Sequence, residues 1–440
     1  MIPSGAGFRN VALILMALLV SACGSSQSVD SASSGPVLVR GAGPDGSFYE
    51  PPANGSGKSV ATQWPIVLSH PFSVTAELSF RGDTLDSSGS FDAYGVKKML
   101  EAGGAVVYQP NKLAYASNET RGKLLYKKCA GTTLNEILCK GANPVEVDGI
   151  HLATKQYCSD PALRARHDYS SEDECRRKLQ FNIICHSQGC PDSRYMLAAV
   201  RNEYSGELMY KHVVSWTSMA GANKGTAEAD WAQEILLACI TPGCRSIVLD
   251  LVFGEESLRQ NEAIITNAGD SVIALTRKYM MQTTDMNCTP SAGTSCAPSF
   301  NQLYPLPVDP SHPIYYQTFT SRIENIDHPC YEGKKFVWQI VQDREGPNDG
   351  NISVDSQRFT TYGADGSGGA TPVISRWISG TTSDPTRPHP GLNHMAYADS
   401  KVPGMNEGTL SCNGEDNSMY RFSRISLYRN IVAELVERGF

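Results

Sequence analysis

The stretch FNIICHSQGCPDSRYML, residues 181–197, sets Ser187 between a histidine and a glutamine, directly after a run of apolar and β-branched residues. A serine hydroxyl becomes a nucleophile only when a base takes its proton and a third group orients that base. Ser187 is therefore judged together with the nine histidines of the chain and a carboxylate able to hold one of them. Downstream the histidines are His212, His312, His328, His389 and His394. A serine between a buried strand and a helix sits on a sharp turn that exposes its hydroxyl, provided that small residues two before and two after let strand and helix approach. Gly189 meets the second condition; Cys185, which adds a side chain to a crowded turn, stands at the first. The plainer alternative makes Ser187 a polar residue at a helix start.

Positioning such a serine takes strands and helices in a particular order. WPIVLSHPF (64–72), GAVVYQP (104–110), LQFNII (179–184) and HVVSWTSMAG (212–221) read as strands buried on both faces. Between the first two, FDAYGVKKMLEAGG spaces Tyr94, Val96, Met99 and Leu100 helically and stops at Gly103. Strand, helix, strand in alternation predicts an α/β fold with a mostly parallel central sheet flanked by helices, whose ligands sit outside the carboxyl ends of the strands, where Ser187 falls. At the far end Phe422, Ile425, Tyr428, Ile431, Val432 and Leu435 share one helical face, which predicts a closing helix packed on the sheet.

With 440 residues, 41% apolar and 19% charged, the chain has enough apolar material for one large domain or two. A net charge of −7, with no lysine- or arginine-rich block, argues against a nucleic-acid partner. Near the amino terminus Arg9 precedes the uncharged run NVALILMALLV, shorter than the ~20 residues that span a bilayer, and small residues follow, the dimensions of a signal peptide. Val20-Ser21-Ala22-Cys23 resembles a bacterial lipobox, which implies cleavage after residue 22 and acylation of Cys23. Several acyl chains would anchor the protein firmly where one would not. Residues 23–58, rich in Ser, Gly and Pro, read as a flexible linker to a domain over 59–440. The linker's GAGPDG lacks the preceding strand that would make its glycines a pyrophosphate site. Of thirteen cysteines, setting Cys23 aside leaves twelve, an even number that in an exported chain reads as disulfides. The short-loop pairs Cys239 with Cys244 and Cys288 with Cys296, and the long pair Cys330 with Cys412, fit that framework, whose connectivity sequence does not settle.

IICHSQGCPDSRYMLAAV followed by VVSWTSMAGANKGT is similar to the nucleophile region of the bacterial true lipases of the Pseudomonas and Burkholderia type, in the α/β-hydrolase superfamily. PIVLSHPF, GAVVYQPNKLAYASNETRGKLL, IYYQTFTS, GPNDGNIS and GLNHM fall in that family's order. The resemblance implies Ser187 as nucleophile, Asp349 as the acid and His394 as the base, with His389 the lesser candidate. The turn sequence PNDG and a proline-flanked loop are sound places for the last two on residue grounds alone. It also implies an oxyanion hole from the backbone N–H groups of Gln188 and Phe72, braced by His70, although Pro71 stands where the family has glycine.

That resemblance further implies a carboxylic-ester hydrolase acting on lipid or other esters, with no cofactor required and a dedicated folding helper as partner. The family's calcium ion would have Asp327 as one ligand, but Ala396 takes the place of a second aspartate and the next acid is Asp399. Residues 226–281, more apolar than a solvated loop, are expected to form a lid or fixed cap, and the charged, cysteine-rich insertion 129–175 a stapled surface excursion. The expected location is a bacterial membrane, the outer membrane or cell surface before free secretion. An extracellular polyester depolymerase on the same site and a non-catalytic surface lipoprotein with a hydrolase fold are the alternatives.

Overall fold

The computed structural model describes residues 58–82, 92–133, 139–141, 144–238, 262–281, 298–359, 373–382, 386–387, 389–397, 405–406, 409–410 and 420–440. Cys23, the linker before residue 58, the cysteines 239, 244, 288, 296 and 412, and Asp399 lie outside them, as does the side chain of Cys330.

Six strands form the central sheet: β1 (Ile66–Ser69), β2 (Val107–Tyr108), β3 (Phe181–His186), β4 (Val213–Met219), β5 (Tyr315–Thr320) and β6 (Val373–Trp377). Their order is β2-β1-β3-β4-β5-β6, with every neighbouring pair parallel. The fold is that of an α/β hydrolase. After β1 the chain steps outward to β2 and then returns to the other side of β1 with β3, so the strand order reverses between β1 and β3. At such a switch point the two outgoing loops diverge and leave a crevice at the carboxyl ends. The loops in question begin at His70 and Ser187.

The helices used below are α1 (Gly95–Ala102), α2 (Asn118–Tyr126), α3 (Ile150–Ser159), α4 (Gly189–Ala199), α5 (Ala227–Ala238), α6 (Glu262–Leu275), α7 (Lys335–Glu345) and α8 (Arg424–Glu437). Successive strand side chains point to opposite faces, and the apolar residues divide accordingly. Ile66, Leu68, Ile184 and Phe319 pack with Val96 and Leu100 of α1 and with Leu427, Tyr428, Ile431 and Val432 of α8. Val67, Ile183 and Trp216 pack with Leu125 of α2, Tyr157 of α3, and Met196 and Leu197 of α4. Burying a large apolar side chain is worth roughly 1.5–3 kcal/mol. Four such residues at 0% exposure, Tyr428, Ile431, Val432 and Leu435, therefore make α8 part of the core.

The insertion is stapled by Cys129–Cys139 and Cys158–Cys175. It is not wholly a surface excursion: α3 sends Ile150, Tyr157 and Cys158 into the second core, with Cys175 beside them. The sequence reading weighed the segment's charge over the few apolar residues of α3 that turn inward. Two-residue strands at Thr381–Thr382, Met405–Asn406, Thr409–Leu410 and Tyr420–Arg421 make a small antiparallel sheet. No helix among the described residues is long and apolar enough to cross a membrane.

Candidate active site

Ser187 stands at the carboxyl end of β3 with φ of 54°, in the left-handed region. A side chain there costs roughly 1–2 kcal/mol, and such strain at a cleft calls for a functional explanation. The turn closes tightly because α4 runs back across β1. A Cβ on Gly189 would collide with Ser69 O and come within 2.8 Å of His70 O, so the position two after the serine tolerates only glycine. The position two before is occupied by Cys185, disulfide-bonded to Cys190 in the first turn of α4. Among the described residues Ser187 Oγ has no hydrogen-bond partner, and the residue is 7% exposed.

The acid and histidine loops meet at the same edge. His394 Nδ1 lies 2.8 Å from Asp349 Oδ2, with both side chains buried. The His394 backbone N–H also donates to Asp349 O at 2.8 Å. Asp349 Oδ1 accepts from the N–H groups of Asn351 (3.1 Å) and Ile352 (2.8 Å), so neither oxygen is left bare. The turn depends on Gly350, at φ of 97°, whose N–H donates to Asn348 Oδ1. Between the two loops runs the segment after β5, where Ile323 N–H donates to Asn348 O and Glu324 N–H to Pro390 O.

His394 is tied to the elbow through the residue before the serine. His186 Nε2 is 3.0 Å from His394 O and the two rings stand 4.7 Å apart. Since a carbonyl only accepts, His186 carries its proton on Nε2. Burial, with His394 nearby, holds its pKa well below the usual histidine range. Three of the other downstream histidines have hydrogen bonds of their own. His389 accepts from Gly391 N–H, and burial pushes its pKa down to about 3. His212 bonds Ser205 Oγ and Leu179 O, while His312 bonds Val213 O, at the amino end of β4.

The loop after β1 rests on a buried charge cluster that the sequence reading did not find. His70 Nε2 accepts from Lys112 N–H at 2.9 Å, which leaves Nδ1–H to donate to Pro71 O at 2.9 Å. Burial, reinforced by Lys112 and Arg121, keeps His70 neutral by lowering its pKa well below the usual range. Lys112 Nζ reaches Ser69 Oγ (2.7 Å), His70 O (3.0 Å) and Asp192 Oδ2 (2.9 Å). Arg121 donates to the same Asp192 oxygen at 2.7 Å and, through Nη2, to His70 O and Pro71 O, both at 2.9 Å. All three charged side chains are 0% exposed. Pro71 C=O belongs to the same peptide unit as Phe72 N–H, so Arg121 fixes the direction in which that N–H points. The Gln188 side chain is held by Ala116 O and Asn118 Oδ1. The cue available in the sequence was charge on the inner face of an elbow helix: Asp192 lies one turn after Ser187.

Over the site, α5 and α6 pack together, and Phe72, Tyr115, Ala229, Ala232, Val272 and Ile352 gather into one apolar cluster. Both arms are tied down by polar contacts. Glu228 Oε2 accepts from Asn351 Nδ2 at 2.7 Å, Thr226 Oγ1 donates to Asn351 O, and Thr226 N–H donates to Leu275 O at 2.9 Å. Ser271 Oγ donates to Ala116 O at 3.0 Å. Residues 239–261, the middle of the expected lid, lie outside the described residues. The calcium expectation finds a poor donor set: Asp327 is largely exposed and ion-paired with Lys335 at 2.9 Å, and buried Ala396 offers no carboxylate. No group of three or more metal-binding side chains occurs among the described residues.

No protein-family model and no curated protein sequence matches the chain. Among solved structures it is similar to a metagenomic carboxyl esterase, at 15% identity and a TM-score of 0.46, covering 100% of this chain and 97% of the other. Staphylococcus hyicus lipase follows at 14% identity and 0.44, covering 89% and 98%. EstA from Clostridium botulinum stands at 14% and 0.46, covering 88% and 92%. Overlaps this loose carry no chemistry across, and the chemistry has to come from the residues.

Proposed function

We propose that the chain is a carboxylic-ester hydrolase, lipase-like in its site, working through an acyl-serine intermediate. The observation that supports this most is the buried His394–Asp349 pair held against a serine turn whose backbone is left-handed. Asp349 fixes the proton on His394 Nδ1 and leaves Nε2 as the base. Nε2 takes the Ser187 proton as Oγ attacks the ester carbonyl, then returns it to the leaving alkoxide. Water repeats the sequence on the acyl-serine. The developing oxyanion is placed between the N–H groups of Gln188 and Phe72, whose peptide planes are set by the elbow and by Arg121. A serine hydroxyl without a partner before substrate arrives is compatible with this, because catalytic hydrogen bonds commonly tighten only in the substrate complex. A fluorophosphonate probe is expected to label Ser187, and a panel of chromogenic esters, triacylglycerols and polyester films to rank substrates. Absence of labelling at Ser187 would leave the non-catalytic alternative standing.

The same proposal includes place: an exported enzyme, acylated on Cys23 and held at the outer membrane or cell surface. Cys23→Ser is expected to move active enzyme from the membrane fraction to the soluble one. Equal partition of both forms in fractionated cells would discard the anchor.

A further inference from the structure

Cys185 and Cys190 enclose the candidate nucleophile. Cys185 is the penultimate residue of β3 and Cys190 the second residue of α4; their Cα atoms are 5.0 Å apart, they are disulfide-bonded, and both are 0% exposed. Between them lie only His186, Ser187, Gln188 and Gly189. We propose that this disulfide is a positioning element of the catalytic turn, holding Ser187 and the Gln188 N–H in register for attack. The proposal rests on the reading of Ser187 as nucleophile.

Three observations support it. The first is economy of loop. A disulfide stabilises a fold globally in proportion to the logarithm of the loop it closes, and this one spans a sequence separation of 5, against 10 and 17 for the other two among the described residues. Of these it is the poorest as a global staple, and it is the one placed at the site. The second is crowding. A strand residue two before the serine faces the incoming helix, where a side chain would ordinarily push the helix away. Here the sulfur that fills this space is bonded to the helix itself, so the bulk draws α4 toward the strand. The third is the peptide plane. Cys190 N–H donates to Ser187 O at 3.1 Å, joined by Ala222 N–H at 3.3 Å. That carbonyl shares its peptide unit with Gln188 N–H, and the two point in opposite directions. The position of Cys190 therefore aims the oxyanion donor.

A donor swung off its line weakens the transition state more than the bound substrate, so kcat should fall while KM holds. The Cys185→Ala/Cys190→Ala variant is expected to lose about 10-fold to 100-fold in kcat on a chromogenic ester. KM should stay within about twofold, and the rate of fluorophosphonate labelling should fall in parallel. Each single variant should match the double, since the bond is absent in all three. Cys158→Ala/Cys175→Ala is the control: it is expected to lower the melting temperature yet leave the kcat of folded enzyme unchanged. If the alanine pair does not fold, Cys185→Ser/Cys190→Ser, closer in volume, carries the same comparison. Wild-type kcat in a folded variant lacking the bond would overturn the proposal. So would peptide mapping that found Cys185 and Cys190 as free thiols in the native exported protein. A wild type that fails to label at Ser187 would bring down the nucleophile reading and this proposal with it, whereas a labelled wild type with an equally fast variant sinks this proposal alone.

Discussion

Ser187→Ala is expected to lower kcat for ester hydrolysis by about 10⁴-fold or more while the protein keeps its melting temperature within a few degrees. The hydroxyl has no hydrogen-bond partner among the described residues, so removing it orphans no buried group, and alanine inherits the same left-handed backbone cost at φ of 54°. Asp349→Asn should lose about 10⁴-fold as well, for a different reason. Asparagine fills the same space and can accept the two backbone N–H bonds from Asn351 and Ile352. It no longer holds the His394 Nδ1 proton by charge, and the wrong tautomer leaves Nε2 protonated and unable to act as base. Steady-state kinetics with thermal melts on both variants decide the point. Turnover within tenfold of wild type for Ser187→Ala would end the acyl-serine mechanism, and for Asp349→Asn would assign the acid elsewhere.

Much of the sheet was legible because strands such as IVLS and FNIICH are buried along their whole length and mostly apolar, with no competing period. β2 was legible only by its setting, since two residues are too few to carry a pattern. His394 and Asp349, named from turn chemistry and family likeness, lie within hydrogen-bond distance. What sequence did not show is how distant charges meet. Lys112 sits in a loop and Arg121 and Asp192 on two helices, 71 positions apart in the case of the last two. Each alone looks like an ordinary surface charge, and only the α2–α4 packing, so close that a Cβ on Gly122 would come within 2.6 Å of Asp192 O, buries them together. The Cys185–Cys190 bond was hidden for a similar reason. Twelve cysteines offer too many pairings, and the eye goes to spacings inside loops before one that brackets a serine.

Asp192→Asn is expected to cost about 3–5 kcal/mol of folding stability, the usual penalty for stranding buried charge, whereas Lys112→Met should cost less, about 1–3 kcal/mol. The asymmetry follows from the count: two cations share one carboxylate oxygen, so losing lysine leaves a balanced Asp192–Arg121 pair, while losing aspartate leaves Arg121 buried without its counter-ion and takes from Lys112 the carboxylate that favours its charged form. What Lys112→Met forfeits is chiefly the ammonium bonds to Ser69 Oγ and His70 O. The pH dependence gives a second, independent sign. Burial pushes the Lys112 pKa down to about 7, although Asp192 pulls it upward. An unfolded lysine titrates at about 10.4. Between those values the unfolded chain binds more protons, and stability from this residue rises with pH. Without Asp192 the lysine is deprotonated more readily still, so the deficit of Asp192→Asn should be larger at pH 6 than at pH 9. Urea unfolding at the two pH values measures it. The loss should reach the chemistry too, because the cluster grips the His70 and Pro71 carbonyls and thereby the Phe72 N–H. A Lys112→Met variant that proved less stable than Asp192→Asn, or a deficit that grew with pH, would show that the cluster is not held by its charge balance.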